Sequence, residues 1–163
     1  MQTPQHIGIV ACSAEGASLC YRTICIEGAQ LLGPHGHPEV SMHTPSLAYY
    51  VARLERGDCR GAGELILRSA DKLAKIGAGF LICPDNTIHQ ALPHVLPRSP
   101  LPWLHIAEVV ADVAVQRGFS TWPHRNALAG RQRGLPSKLA ARGCDYMCAP
   151  RPPARRHQSD HHG

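Results

Sequence analysis

The residues best suited to chemistry lie in a short polar segment that follows an apolar run. Residues 80–82 are apolar and lead through Cys83 to Asp85, Asn86 and Thr87. A carboxylate such as Asp85 can remove or return a proton if its surroundings tune its acidity. Asn86 and Thr87 offer backbone N–H groups and side-chain donors that can hold a carboxylate. The segment therefore predicts a proton-transfer site for a small carboxylate.

Each of these residues also has a purely structural interpretation. Asp85 could form an Asx turn or cap a helix after Pro84. Cys83 could act as a nucleophile or base only if its thiol were exposed with a lowered pKa, and a buried cysteine at a strand end is the alternative. His89 could orient the loop or assist proton transfer, or it could be a structural histidine.

The same segment resembles a motif of the cofactor-independent aspartate/glutamate racemase superfamily, in which a strand is followed by Cys-Asn-Thr-x-His. Asn86, Thr87 and His89 match this motif, and Asp85 stands where the family has its first catalytic cysteine. The resemblance implies an isomerase that removes and returns the α-proton of an amino acid such as aspartate or glutamate, without pyridoxal phosphate or another cofactor. It implies that the first acid/base group comes from Asp85. Cys83 lies two residues earlier and is not the aligned residue, but its chemistry makes it a second catalytic candidate, and that of Asn86, Thr87 and His89 makes them substrate-binding candidates.

Two further loops belong to the predicted site, because ligands of parallel sheets bind at the carboxyl ends of the strands. Ser13, after the first predicted strand, lies where the family has its first substrate loop, although a plain tight turn is an equal alternative. Thr44, after the second strand, lies near another substrate loop of the family. No arginine stands there to bind a second carboxylate, so the substrate's side chain is not identified.

The elements that would position these loops alternate between strand and helix. Strands are predicted within 6–11, 39–43, 80–82 and 103–106, and helices within 17–32, 45–57, 63–76 and 107–117, with Thr44 as an N-cap. This order predicts an α/β fold, a three-layer arrangement of a parallel sheet flanked by helices. Residues 1–120 would form one racemase-like domain.

The pattern fails after about residue 120. Residues 121–148 are interpreted as a degraded or irregular continuation without a clear strand near Trp122, and residues 149–163 as a disordered tail. One hypothesis is a reading-frame slip over 121–136 and 149–163. The resemblance also implies a second catalytic cysteine in a later Gly-Cys-Thr motif. The sequence contains no such motif, so the chain is expected to be incomplete.

Composition limits the partners. The net charge is +5, and the basic excess follows Ser120 without a nucleic-acid-binding motif, so no nucleic acid is expected. No apolar run is long enough for a membrane span, and the seven scattered cysteines suit a reducing cytoplasm. The expected partner is a small amino acid or dicarboxylate. A homodimer is favoured if a missing second domain leaves an apolar face exposed.

Two alternatives belong to other functional classes. The first is a catalytically inactive fragment that binds small carboxylates. The second is a metal-binding protein, because imidazole and carboxylate groups bind zinc. Its candidate ligands are His35, His37, His43, Asp85 and His89.

Overall fold

A four-stranded parallel sheet is the centre of the fold. The computed structural model describes residues 4–118, 121–124 and 145–148. The strands are β1 Ile7–Val10, β2 Val40–His43, β3 Phe80–Ile82 and β4 Trp103–Leu104, in the spatial order β2-β1-β3-β4. Every neighbouring pair is parallel, which confirms the predicted α/β class.

Five α-helices accompany these strands in the described part of the chain: α1 Ala14–Leu32, α2 Leu47–Leu54, α3 Cys59–Lys75, α4 Leu92–Val95 and α5 Ile106–Gln116. Short 3₁₀ turns flank α4. Neither this helix nor the turns were predicted from the sequence pattern.

Side-chain caps explain why two helices begin earlier than predicted. The Ser13 hydroxyl accepts a hydrogen bond from the Gly16 N–H at the start of α1, and the Asp58 carboxylate accepts one from the Gly61 N–H at the start of α3. Both bonds satisfy backbone donors that the first turn of a helix leaves unpaired. The prediction for α2 was wrong, because Ser46 and not Thr44 occupies its N-cap position.

The sheet has a helical layer on each face. On one face, α3 packs its buried residues, including Leu65, Ile66 and Leu73, against Val10 and Leu81. On the other face, Ala17 of α1 packs against Ile9 and Ala11. Alternate residues of β1 therefore enter opposite cores, as expected for a strand covered on both sides. The predicted three-layer arrangement is confirmed.

The chain forms a further pair of strands beyond this sheet. β5 Thr121–His124 pairs in parallel with β6 Asp145–Cys148. The expectation that no clear strand lies near Trp122 was wrong at these four residues. Among the described residues each of these strands has one neighbour, and an edge strand tolerates a proline such as Pro123. The predictions for residues 125–144 and 149–163 lie outside the described residues.

No helix in the described part of the chain is long and apolar enough to cross a membrane.

Candidate active site

Asp85 lies in the loop after β3, where its carboxylate is held by the backbone. Its Oδ1 accepts hydrogen bonds from the N–H of Thr87 at 3.0 Å and from that of Ile88 at 3.4 Å. These bonds form the Asx turn that the sequence offered as the structural interpretation. Both bonds use Oδ1 and neither uses Oδ2. The turn therefore orients the carboxylate without occupying all of its acceptor capacity.

Cys12, which the sequence interpretation left out of the site, is the side-chain partner of Asp85. Cys12 follows β1 and Asp85 follows β3, and these two strands are parallel neighbours, so both residues lie at the same edge of the sheet. The two side chains are close enough for the charge of the carboxylate to act on the thiol. Burial, and then the charge and hydrogen bond of Asp85, raise the pKa of the Cys12 thiol to about 12. The thiol is therefore protonated at neutral pH.

Cys83 does not meet the condition set for a reactive thiol. Its side chain is buried, with 3% exposure. Burial raises the pKa of Cys83 well above its usual value, and the neighbouring Cys12 and Asp85 raise it further. An inert cysteine in the core is the better interpretation of this residue.

His89 is buried and connects the loop to the end of β3. Its Nε2–H donates to the carbonyl oxygen of Cys83 at 3.0 Å, and its Nδ1 lies 3.4 Å from Nδ1 of His105. His105 is the N-cap of α5 and accepts the N–H of Ala107. These contacts suit an orienting role for His89. The sequence interpretation did not identify His105.

Asn86 and Thr87 are half-buried in the same turn. The Thr87 N–H, which the sequence offered to a substrate carboxylate, is donated to Asp85. The carbonyl of Asn86 accepts the N–H of His89, and that of Thr87 accepts a bond from the side chain of Gln90. The backbone of the turn is thus largely engaged in its own hydrogen bonds.

An open cleft of about 380 Å³ lies between the start of α1 and the β2–α2 loop. Its lining includes the polar residues Ser18, Thr44 and Ser46 together with Cys12. Thr44 thus lies where the sequence placed a substrate-binding residue. Ser13 is not a lining residue, and its hydroxyl caps α1. Asp85 does not line the cleft, whereas Cys12, whose thiol lies near the Asp85 charge, does.

The five residues considered as a metal site do not come together. His43 at the end of β2 contacts Ser69 through Nδ1 and Lys72 through Nε2, both at 2.9 Å. Burial, and then the charge of Lys72, lower the pKa of His43. His37 contacts the carbonyl of Pro38 in the connector. Among the described residues, no three histidine, cysteine, aspartate or glutamate side chains are grouped to hold a metal ion.

Gly16 allows the Asp85 loop to lie against the start of α1. A Cβ at this position would lie 2.6 Å from the carbonyl oxygen of Pro84 and 2.9 Å from the Ser13 hydroxyl. We expect Gly16→Ala to lower the free energy of unfolding by about 1–3 kcal/mol, as overpacking does. Helix propensity alone would instead favour alanine by about 1 kcal/mol. Urea unfolding measures the difference.

The control is Leu19→Ala in the same helix, where the side chain is 63% exposed. It should change the free energy of unfolding by less than about 0.5 kcal/mol. Stabilisation by Gly16→Ala would contradict the close packing of α1 against the loop.

Comparison with solved structures agrees with this architecture. The fold is similar to a "putative Asp/Glu racemase" from Yersinia pestis, with a TM-score of 0.79 and 21% identity over 90% of this chain. It is also similar to an aspartate racemase homologue from Pyrococcus horikoshii, with a TM-score of 0.75, 18% identity and the same coverage. For the aspartate racemase of Picrophilus torridus the TM-score is 0.70, with 12% identity over 88% of this chain.

The chain spans 65% of the length of the first two of these proteins and 62% of the third. No protein-family model and no curated protein matches the sequence. At these identities the similarity concerns the fold. The resemblance first drawn from residues 86–89 is therefore confirmed at that level, and the chain has the racemase-type α/β fold of these Asp/Glu racemase structures.

Proposed function

We propose that this chain carries a proton-transfer site for the α-carbon of a small amino acid, as in a racemase-like isomerase. The observation that carries the proposal is the position of Asp85. It follows a central strand at the carboxyl edge of a racemase-type sheet, with one oxygen held by two N–H groups and a thiol as its neighbour. A carboxylate oriented in this way can accept a proton from a bound substrate.

The proposed reaction needs no cofactor. The α-proton of an amino acid is weakly acidic, so a base must be held close to it while donors stabilise the charge that develops on the substrate carboxylate. In the proposed site Asp85 supplies the basic group. The Thr44 hydroxyl lies at the cleft, and because it donates to the carbonyl oxygen of Pro45 at 3.2 Å, it can bind a substrate donor through its free lone pair. Asn86 and Thr87 shape the turn that holds Asp85.

Exchange of the α-proton with solvent tests the proposal. Purified protein is incubated in heavy water with aspartate, glutamate or alanine, with no added cofactor, and loss of the α-proton signal is followed by NMR. We expect exchange of at least one substrate above a no-enzyme control. No exchange of any of the three amino acids would contradict the proposal.

An inactive carboxylate-binding protein is the second candidate. It is favoured by one observation: the thiol nearest to Asp85, Cys12, is buried with a raised pKa, so Asp85 is the one base that we assign among the described residues of the site. Binding of aspartate in a calorimetric titration without any proton exchange would select this candidate over the first.

We further propose a cytoplasmic location. The described cysteines are Cys12, Cys20, Cys25, Cys59 and Cys83, and all are free thiols. Reduced thiols persist in a reducing compartment.

A further inference from the structure

We propose that His43 is a positioning residue for the cleft. Its neutral ring, held by Ser69 and Lys72 of α3, fixes the end of β2 beside the cleft, and a proton gained by the ring releases that end. The inference rests on the proposed function and adds a control of substrate binding by pH. It gives a role to a residue that the sequence analysis considered only as a metal ligand.

The backbone of His43 lies between the two sides of the cleft. His43 is the last residue of β2, and residues 44–47, which follow it, line the cleft. Its carbonyl oxygen accepts the N–H of Ala11 at 3.0 Å, and Ala11 precedes Cys12, a lining residue on the other side. A shift of His43 therefore changes the distance between the two sides.

The ring of His43 lies on the face of the sheet opposite to the cleft. Met42, the preceding residue, lines the cleft, and successive side chains of a strand point to opposite faces. On the far face Nδ1 of His43 lies 2.9 Å from the hydroxyl of Ser69, which is fully buried, and Nε2 lies 2.9 Å from Nζ of Lys72. Both ring nitrogens therefore contact α3, and His43 joins the edge of the cleft to this helix.

The partners of the ring define which nitrogen carries the hydrogen. The Ser69 hydroxyl donates its one hydrogen to the carbonyl oxygen of Leu65 at 3.3 Å, so it accepts from His43 and Nδ1 carries the N–H. The ammonium group of Lys72 can only donate, so Nε2 of His43 is the bare acceptor. The ring is therefore neutral, in the Nδ1–H tautomer.

A proton on Nε2 would break the contact with Lys72. The ring would lose its acceptor, and two cations would face each other across the present 2.9 Å contact. Burial, and then the charge of Lys72, lower the pKa of His43. The contact is thus complete above about pH 6.5, the usual pKa of histidine, and is lost as the pH falls through the lowered pKa.

Lys72 is the charged group of α3 that acts on the His43 ring. Arg68 and Asp71 flank the contact on the same helix, and both side chains are exposed. Neither is among the charges that shift the pKa of His43. Replacing Lys72 alone therefore removes the charge that matters.

The other elements beside the ring hold no group that titrates near neutral pH. β1 pairs with His43 through Val10, and Ala11 follows it. Tyr50 of α2, buried in the same core as Val10, is a neutral phenol because burial raises its pKa. Among these groups the titration below neutral pH belongs to His43.

NMR of the full chain tests the state of the ring independently of any substrate. Two-bond proton–nitrogen spectra are recorded during a pH titration, and the His43 signals are assigned by their loss in His43→Gln. We expect the Nδ1–H tautomer at about pH 8 and a pKa below about 6.5. In Lys72→Met the pKa of His43 should rise, because a neighbouring positive charge is gone. The Nε2–H tautomer, or an unchanged pKa in Lys72→Met, would overturn the inference.

Calorimetric titration with L-aspartate tests the positioning role. The Kd is measured from about pH 8 to below the pKa of His43 that NMR gives, with circular dichroism to confirm the fold at each pH. We expect the Kd to rise about three- to tenfold as His43 gains its proton, the effect of one net hydrogen bond.

His43→Gln is the conservative variant. Its amide oxygen can accept from Lys72 and its amide N–H can donate to Ser69, and the group does not titrate. This variant should bind at all of these pH values with a nearly constant Kd, whereas His43→Ala should bind weakly throughout. A merely structural histidine would not produce this difference.

His37→Gln is the matched control. His37 is exposed in the connector before β2 and contacts the carbonyl oxygen of Pro38. This variant should keep the pH dependence of the unaltered chain. The same loss of pH dependence in His37→Gln, or a full pH dependence in His43→Gln, would overturn the positioning role.

The outcomes separate this inference from the proposed function. A Kd that stays constant through the titration of His43 would overturn the inference alone. Binding that responds to pH through His43, without exchange of the α-proton, would overturn the proposed function and leave His43 as a positioning residue of a carboxylate-binding cleft. No binding of L-aspartate at any pH would overturn the positioning role as well.

Discussion

Asp85→Asn should reduce α-proton exchange by about 10²- to 10⁴-fold, the range typical for a lost acid/base group. An amide has no basic oxygen that can take up the proton, whereas its shape lets Oδ1 still accept the N–H of Thr87 and Ile88. The turn should therefore persist while the chemistry is lost. Exchange is measured by NMR in heavy water with both proteins at equal concentration.

Cys83→Ser is the matched comparison in the same loop. Its thiol is buried with a raised pKa, so we expect this variant to retain much of the exchange rate wherever it folds. Circular dichroism and urea unfolding establish folding for both variants. An active Asp85→Asn variant beside an inactive, folded Cys83→Ser variant would show that Cys83 supplies the base.

The 163-residue chain should not interconvert the enantiomers of aspartate or glutamate at an enzymatic rate. Inversion needs proton-transfer groups on both faces of the α-carbon. Among the described residues, Asp85 is the one base that we assign to the site, and it serves one face. When one of two cooperating groups is missing, most of the rate is usually lost, because such groups act as a unit.

Chiral chromatography of a long incubation measures the inversion. We expect the D-enantiomer formed from L-aspartate to stay at the level of a no-enzyme control. Turnover well above that control would contradict the one-sided site. It would mean that a second copy of the chain or a residue outside the described part supplies the other group.

The layered fold could be predicted from the sequence because its signals are local. The helical period of the apolar residues in α3 predicts a helix, and the short apolar run of β3 predicts a strand, each from neighbouring residues alone. Helix starts were less accurate, because they depend on whether one side chain, such as Ser13 or Asp58, forms a cap. The strand β5 could not be predicted from local patterns, because the strand that pairs with it in the described part of the chain, β6, lies more than twenty residues away.

The site could be predicted only in part. The Asp85 turn follows from short-range residue types, and Thr44 does line the cleft. Cys12 was missed because its proximity to Asp85 arises from the pairing of β1 with β3, two strands that are distant in sequence. Its position after the first strand, at the same edge as Asp85, was the available signal. The burial of Cys83 depends on tertiary packing, which no local pattern predicts. The cap formed by Ser13 depends on whether its hydroxyl turns toward the N–H of Gly16.

The most direct test of the proton-transfer site is a single incubation of the unaltered chain with L-aspartate in heavy water. The α-proton is followed by NMR, and the configuration of the amino acid is determined in the same sample. We predict deuterium at the α-carbon of L-aspartate, formed faster than in a parallel sample of Asp85→Asn and with the configuration retained. No deuterium above the no-enzyme control, or equal incorporation by both proteins, would contradict a proton-transfer role for Asp85.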